Sequence, residues 1–264
     1  MRYTHCMSEM HSDSRMQQAA QVIADSHHLI AFTGAGISAE SGIPTFRGDN
    51  GIWQRYDPRV LETGFFRQNP AESWRAIRDI FYATAADTRP NPGHHVLADW
   101  EQHGLLHHII TQNIDDLHHR AGSRSVSEYH GSIRFLRCQK TGKTVPFTEQ
   151  TLEESMDDRG VPVSPWGGIL KPDFVFFGEG IPLKAASRSE LEARNCDVML
   201  VIGSTGEVYP AAQLPEIAAK GGAWIIEINP QRSNFTPWIT DIYLPYPAGE
   251  ALPALAALIG GLRS

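Results

Sequence analysis

The chain has 264 residues, of which 41% are hydrophobic and 20% charged, with a formal net charge of −7. That composition fits one α/β domain of ordinary size, and the acidity argues against direct nucleic-acid binding. No apolar run is long enough to span a bilayer, and Cys6, Cys138 and Cys196 are too few and too scattered for a disulfide framework, which fits a reducing cytoplasm.

Residues 1–15 show no apolar signal core and read as a polar, disordered extension. Met16 to Ser26 has helical spacing and leads into an apolar strand, Leu29 to Phe32. The strand breaks into Gly34-Ala35-Gly36-Ile37-Ser38-Ala39-Glu40, a G-x-G-x-x-A pattern. Glycines there let backbone N–H groups approach a pyrophosphate, and a following helix would present roughly half a positive charge to it. By itself this pattern is weak, since a tight turn has the same spacing. Glu62 to Ala86 carries aromatic and aliphatic residues at helical intervals, and the spacing predicts one helical wall of a pocket. His94 to Gln102 reads as a helix, Leu105 to Thr111 as a strand delivering Gln112, Asn113 and Asp115, and Val126 to Tyr129 as a strand delivering His130. Cys138 to Lys171 is polar and rich in Pro and Gly. Val198 to Ile202 and Trp224 to Ile228 are continuous apolar strands, and Ala251 to Leu262 is the last helix. Strands alternating with helices imply an α/β fold with a doubly wound, Rossmann-like parallel sheet. Four strand ends carry small or polar residues: Thr33-Gly34, Thr111-Gln112-Asn113, Gly203-Ser204 and Asn229. Ligands bind beyond the carboxyl ends of such strands, so these residues converge on one rim.

The stretch from Gly34 continues as Ile43-Pro44-Thr45-Phe46-Arg47-Gly48, and the whole resembles the NAD-binding signature of the sirtuins, NAD-dependent protein-lysine deacylases. Thr111-Gln112-Asn113-Ile114-Asp115, His130-Gly131, Lys171 to Glu179, Gly203-Ser204-Thr205 and Glu227-Ile228-Asn229 resemble further sirtuin segments, in order, over about residues 17–260. Gly206 departs from the pattern, where the family has a larger apolar residue.

The resemblance implies that residues 16–264 form the catalytic domain. Its large Rossmann-like part would take about 16–46, 87–136 and 172–264, and an inserted small part about 47–86 and 137–171. It also implies that NAD, a consumed co-substrate, contacts Gly34, Ala35, Gly36, Ser38, Glu40, Thr45, Phe46, Arg47, Gln112, Asn113, Asp115, Gly203, Ser204, Thr205 and Asn229. Asn113 and Asp115 would orient the nicotinamide ribose while His130 acts as general base on a ribose hydroxyl, with nicotinamide, O-acyl-ADP-ribose and free lysine as products. Val175, Phe176, Phe177, Gly178 and Glu179 would bind an acyl-lysine peptide by strand addition. Some relatives select acidic acyl groups with Trp-x-x-Tyr-x-x-Arg. From Trp74 those places hold Ile77 and Ile80, which predicts acetyl or longer apolar acyl groups over succinyl.

Most sirtuins hold a zinc ion with two C-x-x-C pairs between the segments of His130 and Lys171. Here Cys138 stands first, Thr141 second, and the later pair falls on Val163 and Trp166, so no zinc is expected. Val145, Phe147, Val163 and Trp166 are candidates for an apolar substitute. Two other readings compete with the deacylase: a mono-ADP-ribosyltransferase or NAD glycohydrolase on the same fold, and a non-catalytic NAD sensor. A sensor has no need of His130. No membrane partner is expected.

Overall fold

A computed structural model of the chain describes residue 10 and residues 12–45, 51–82 and 88–263. Phe46 and Arg47 lie outside the described residues. Six parallel strands form the main sheet in the order β3-β2-β1-β7-β8-β9, with β1 Leu29–Thr33, β2 Leu106–Thr111, β3 Val126–Glu128, β7 Val198–Ile202, β8 Trp224–Ile228 and β9 Ile242–Leu244. This is the doubly wound order whose direction of winding reverses at β1, so that β1 and β7 flank the switch point.

β1 and β7 are buried along their whole length, as expected for parallel strands covered on both faces. Their alternate residues feed two cores. Leu29, Ala31, Leu200 and Ile202 pack with the helices Ser14–Ala24, Pro92–Gln102 and Ala248–Arg263. Ile30, Phe32, Met199 and Val201 pack with Leu183–Asn195 and Gln213–Lys220.

A second sheet of three strands, β5-β4-β6, comprises β4 Gly131–Cys138, β5 Thr144–Pro146 and β6 Leu170–Phe174. It encloses a third core with residues 52–80, including Trp74, Ile77, Leu136, Phe174 and Phe176. Residues 131–136 and 172–174, assigned to the large part from sequence, therefore lie in the small sheet, because β4 runs unbroken from Gly131.

Three local expectations are corrected. Residue 10 and residues 12–15 are not a disordered extension: Met10 is buried, and Asp13 caps the first helix and accepts the Tyr246 hydroxyl at 2.9 Å. The stretch from Glu62 is not one helix but Thr63–Gln68, then Pro70–Ile77, then a π-turn over Arg78–Tyr82. Pro70 restricts Asn69 and opens the second helix as its first residue. The segment after Gly34 is a seven-residue 3₁₀ helix, Ala35–Ser41, which ends where Gly42 turns left-handed. Among the described residues no helix is long and apolar enough to cross a membrane.

Candidate active site

The switch point is built from three glycines in contact. Gly34 N–H donates to the Ile202 carbonyl and Gly36 N–H to the Gly203 carbonyl, both at 2.9 Å. A Cβ on Gly36 would fall 2.5 Å from the Gly203 Cα, and one on Gly203, at φ +61°, would fall 2.4 Å from the Ile37 nitrogen. These glycines bring the β1 and β7 loops together, and the N–H groups of Gly34 and Gly36 are occupied by protein rather than aimed at a phosphate. That corrects the reason for the glycines read from the sequence. Glu40 is also reassigned in part: its carboxylate accepts the Gly249 N–H at 2.6 Å at the start of the last helix.

The rim residues do converge. Asn113 donates from Nδ2 to the Gly34 carbonyl at 3.0 Å and to the Ser38 hydroxyl at 3.2 Å. Ser38 donates to Asp115 at 2.7 Å, and the other Asp115 oxygen accepts the Leu117 N–H at 2.9 Å. Burial pushes the Asp115 carboxyl above its ordinary pKa, and these two donors offset the rise only partly. Gln112 donates to the Ser204 hydroxyl at 2.9 Å, and Asn229 to the Ser204 carbonyl at 3.2 Å. The Thr205 carbonyl accepts Asn234 N–H at 3.0 Å, and that of Thr45 accepts Ile52 N–H at 3.0 Å. Gly206 is a glycine at φ +72° whose Cβ would sit 3.0 Å from the Phe235 ring, so here Phe235 fills the space of a larger residue.

His130 lies between the sheets. Its Nδ1 is 3.1 Å from the Gln112 carbonyl, and its own carbonyl accepts the Val175 N–H at 2.8 Å. Gly131 must be glycine, because at φ +76° a Cβ would lie 2.3 Å from the Asp173 carbonyl oxygen. Burial lowers the His130 pKa below its ordinary value, against a smaller opposing effect of the Gln112 bond.

Ala35, Ser38, Asn113 and Asp115 line a cleft with Phe81, from the stretch expected to wall a pocket, and with Ile43, Pro44, Ile52, Ile114 and Ile133, which sequence reasoning missed. Ile43, Pro44 and Ile114 in loops, Ile52 in a short 3₁₀ turn and Ile133 at the start of β4 carry no periodic signal that marks them for a site. Of the two isoleucines expected to face substrate, Ile80 lines the cleft, whereas Ile77 is fully buried in the small core. The π-turn separates them by adding a residue to the helical turn. Phe177 is 50% exposed, and Val175 to Glu179 run along the same edge as His130.

The small module brings Ser164, not Val163, to Cys138. The Ser164 hydroxyl donates to the Cys138 sulfur at 3.1 Å, and Ser164 and Gly167 close the turn that a second C-x-x-C pair would make. Val163 instead pairs with Ile169. One thiol, the hydroxyls of Ser164 and Thr141 and a glycine do not fit a structural zinc, which takes four sulfur or nitrogen ligands. A separate group of possible ligands, Asp116, His119 and Glu128, is bridged by Arg134, which pairs with both carboxylates.

The sheet order, the glycine contact at the switch point and the amide and carboxylate groups on its rim define a nucleotide-binding α/β protein with a histidine beside the cleft. Residues 34–210 match the Sir2 family, and the chain belongs to it. It is 46% identical to the NAD-dependent protein deacylase 2 of Pyrobaculum aerophilum, over 89% of this chain and 92% of that protein. A Sir2 homologue crystallised with NAD superposes with a TM-score of 0.83 at 38% identity, covering 94% of each chain. A Sir2 complex with a p53 peptide and NAD superposes with a TM-score of 0.83 at 32% identity, covering 94% of this chain and 99% of that one.

Proposed function

We propose that the chain removes acyl groups from protein lysines at the expense of NAD. His130 carries this reading: a neutral, partly buried imidazole stands between the nucleotide rim and the peptide edge, where its free nitrogen can accept a proton from a ribose hydroxyl. NAD supplies the electrophilic anomeric carbon. The chain supplies Asn113, Ser38 and Asp115 to orient the nicotinamide end, Gln112, Ser204 and Asn229 along the rim, and the apolar wall of Ile80 and Phe81 to exclude water.

The acyl group is acetyl or a longer apolar chain. Trp74 and Ile77 are buried and Arg75 and Arg78 exposed, so among the described residues this helix offers the cleft no cation for a succinyl carboxylate. The sparse cysteines support a cytoplasmic enzyme, and its small module keeps its shape without zinc.

Mass spectrometry of NAD with an acetyl-lysine peptide tests the reading. The wild type releases nicotinamide and O-acetyl-ADP-ribose, and His130→Ala loses about 10²–10⁴-fold in rate. Deacetylation that survives the substitution refutes the role of His130. NAD turnover without peptide favours a glycohydrolase. Faster removal of succinyl than of acetyl refutes the apolar preference.

A further inference from the structure

Lys171 is only 4% exposed, an unusual place for an ammonium group, and the sequence reading assigned it no role. Its Nζ donates to the Phe174 carbonyl at 2.6 Å and to the Pro172 carbonyl at 2.9 Å. It pairs with the Glu179 carboxylate at 3.1 Å and sits 4.0 Å from the centre of the Phe176 ring. Glu179 in turn accepts the Phe176 N–H at 2.9 Å, and its own N–H donates to the Phe176 carbonyl at 3.0 Å. One ion pair thus grips the backbone of residues 172–179 at both ends.

The rest of that backbone is tied to the protein on its other side. Val175 N–H bonds the His130 carbonyl at 2.8 Å, Phe177 N–H the Leu61 carbonyl at 2.9 Å, and Thr63 N–H the Phe177 carbonyl at 3.1 Å. Among the described residues, the Val175 carbonyl and the Gly178 N–H carry no hydrogen bond. These are the groups an added strand would use.

An ion pair with its lysine buried and its carboxylate half-buried is a poor way to gain stability, because desolvation offsets much of the attraction. Its physical advantage is that it fixes one geometry. We infer that Lys171 and Glu179 are positioning residues that hold residues 175–178 in the shape needed to pair with the backbone of the substrate peptide. This rests on the peptide-strand reading above. The pair acts on residues flanking the acyl-lysine and not on NAD, so its removal weakens peptide binding selectively.

Two variants test it. Lys171→Met keeps the apolar stem and removes the charge and donors, and Glu179→Gln keeps an acceptor for the Phe176 N–H. Each is assayed with NAD on an acetyl-lysine peptide and on a blocked single acetyl-lysine that lacks flanking residues. Lys171→Met raises the peptide KM about tenfold or more, and leaves the NAD KM and the kcat/KM for the single residue within about threefold. Glu179→Gln raises the KM of the peptide more than that of the single residue, by less than Lys171→Met does, and carries the test if Lys171→Met does not fold. Equal losses on both substrates, or a loss confined to kcat, overturn the positioning role, because a merely structural defect lowers both alike. A wild type that uses peptide and single residue equally overturns the strand reading, and the role of the pair with it.

Discussion

The Gln112 carbonyl decides which nitrogen of His130 can act as a base. A carbonyl only accepts, so Nδ1 carries the hydrogen at 3.1 Å and Nε2 keeps its lone pair. Burial holds the pKa below the ordinary value of 6.5, so the imidazole is neutral at pH 7. The acid limb of the kcat/KM profile for deacetylation therefore inflects below pH 6.5, and activity holds from pH 7.5 down to that point. A limb that inflects at or above pH 7 contradicts this assignment. His130, Asn113, Asp115, Ser204 and Asn229 were legible in the sequence because each follows a strand, and the ends of parallel strands share a rim. The partners of Gly34, Gly36 and Glu40 were not, because each is met by a residue more than 160 positions away, Ile202, Gly203 or Gly249, and local spacing does not report such contacts.

At the level of elements, the small module keeps the outline of a metal clip and changes what closes it. Ser164 and Thr141 hydroxyls and the Lys140 and Thr141 N–H groups point at Cys138. Burial pushes that thiol up, but the four donors outweigh it and bring its pKa down to about 7. Gly168 leaves room for the sulfur, since a Cβ there would lie 2.7 Å from it. Leu136, Val161 and Leu170 share its buried core. Metal analysis of purified protein is expected to find well under about one zinc per chain, since stable binding takes four good ligands. A chelator then leaves the unfolding midpoint unchanged, and one tightly held zinc per chain would sink the proposal. Cys138→Ala, read by denaturant unfolding, costs about 1–3 kcal/mol from lost packing and orphaned donors. The loss of cysteines was visible in the sequence. The register of the second turn was not, because an ungapped count stops at Val163, one residue short of Ser164. The break at Pro70 was not read from the sequence although a proline marks it, and the π-turn that turns Ile80 and Phe81 to the cleft has no residue signature.

Across the whole molecule the fold holds several histidines without charge. His108 in β2 lies between the hydroxyls of Ser125 and Ser127, each at 2.8 Å, and burial lowers its pKa to about 4. The His94 ring lies tilted against that of His118, with ring centres 5.0 Å apart and planes at 59°. Burial lowers His94 to about 4 and His118 well below its ordinary value. In the unfolded chain all three titrate near 6.5. The folded form binds fewer protons than the unfolded one between those values. The stability they contribute is therefore fully present above pH 6.5 and is lost as pH falls from 6.5 toward 4. Between pH 7.5 and 5, linkage removes about 2 kcal/mol for each of His94 and His108, and His118 adds to the loss. Asp115 and Asp116 work in the opposite direction, because burial raises both and so favours the folded state as acid is added, but His130 shifts the same way as the other three imidazoles, which makes two groups against four. Urea unfolding is expected to show a stability that falls by about 4 kcal/mol or more over this range, and His108→Asn flattens the fall by the share of His108. A stability that stays level from pH 7.5 to 5 would mean that these imidazoles take up protons in the folded chain. That outcome would also undercut the dry surroundings on which the neutral state of His130 depends, which links the acid stability of the whole fold to the imidazole proposed as its base.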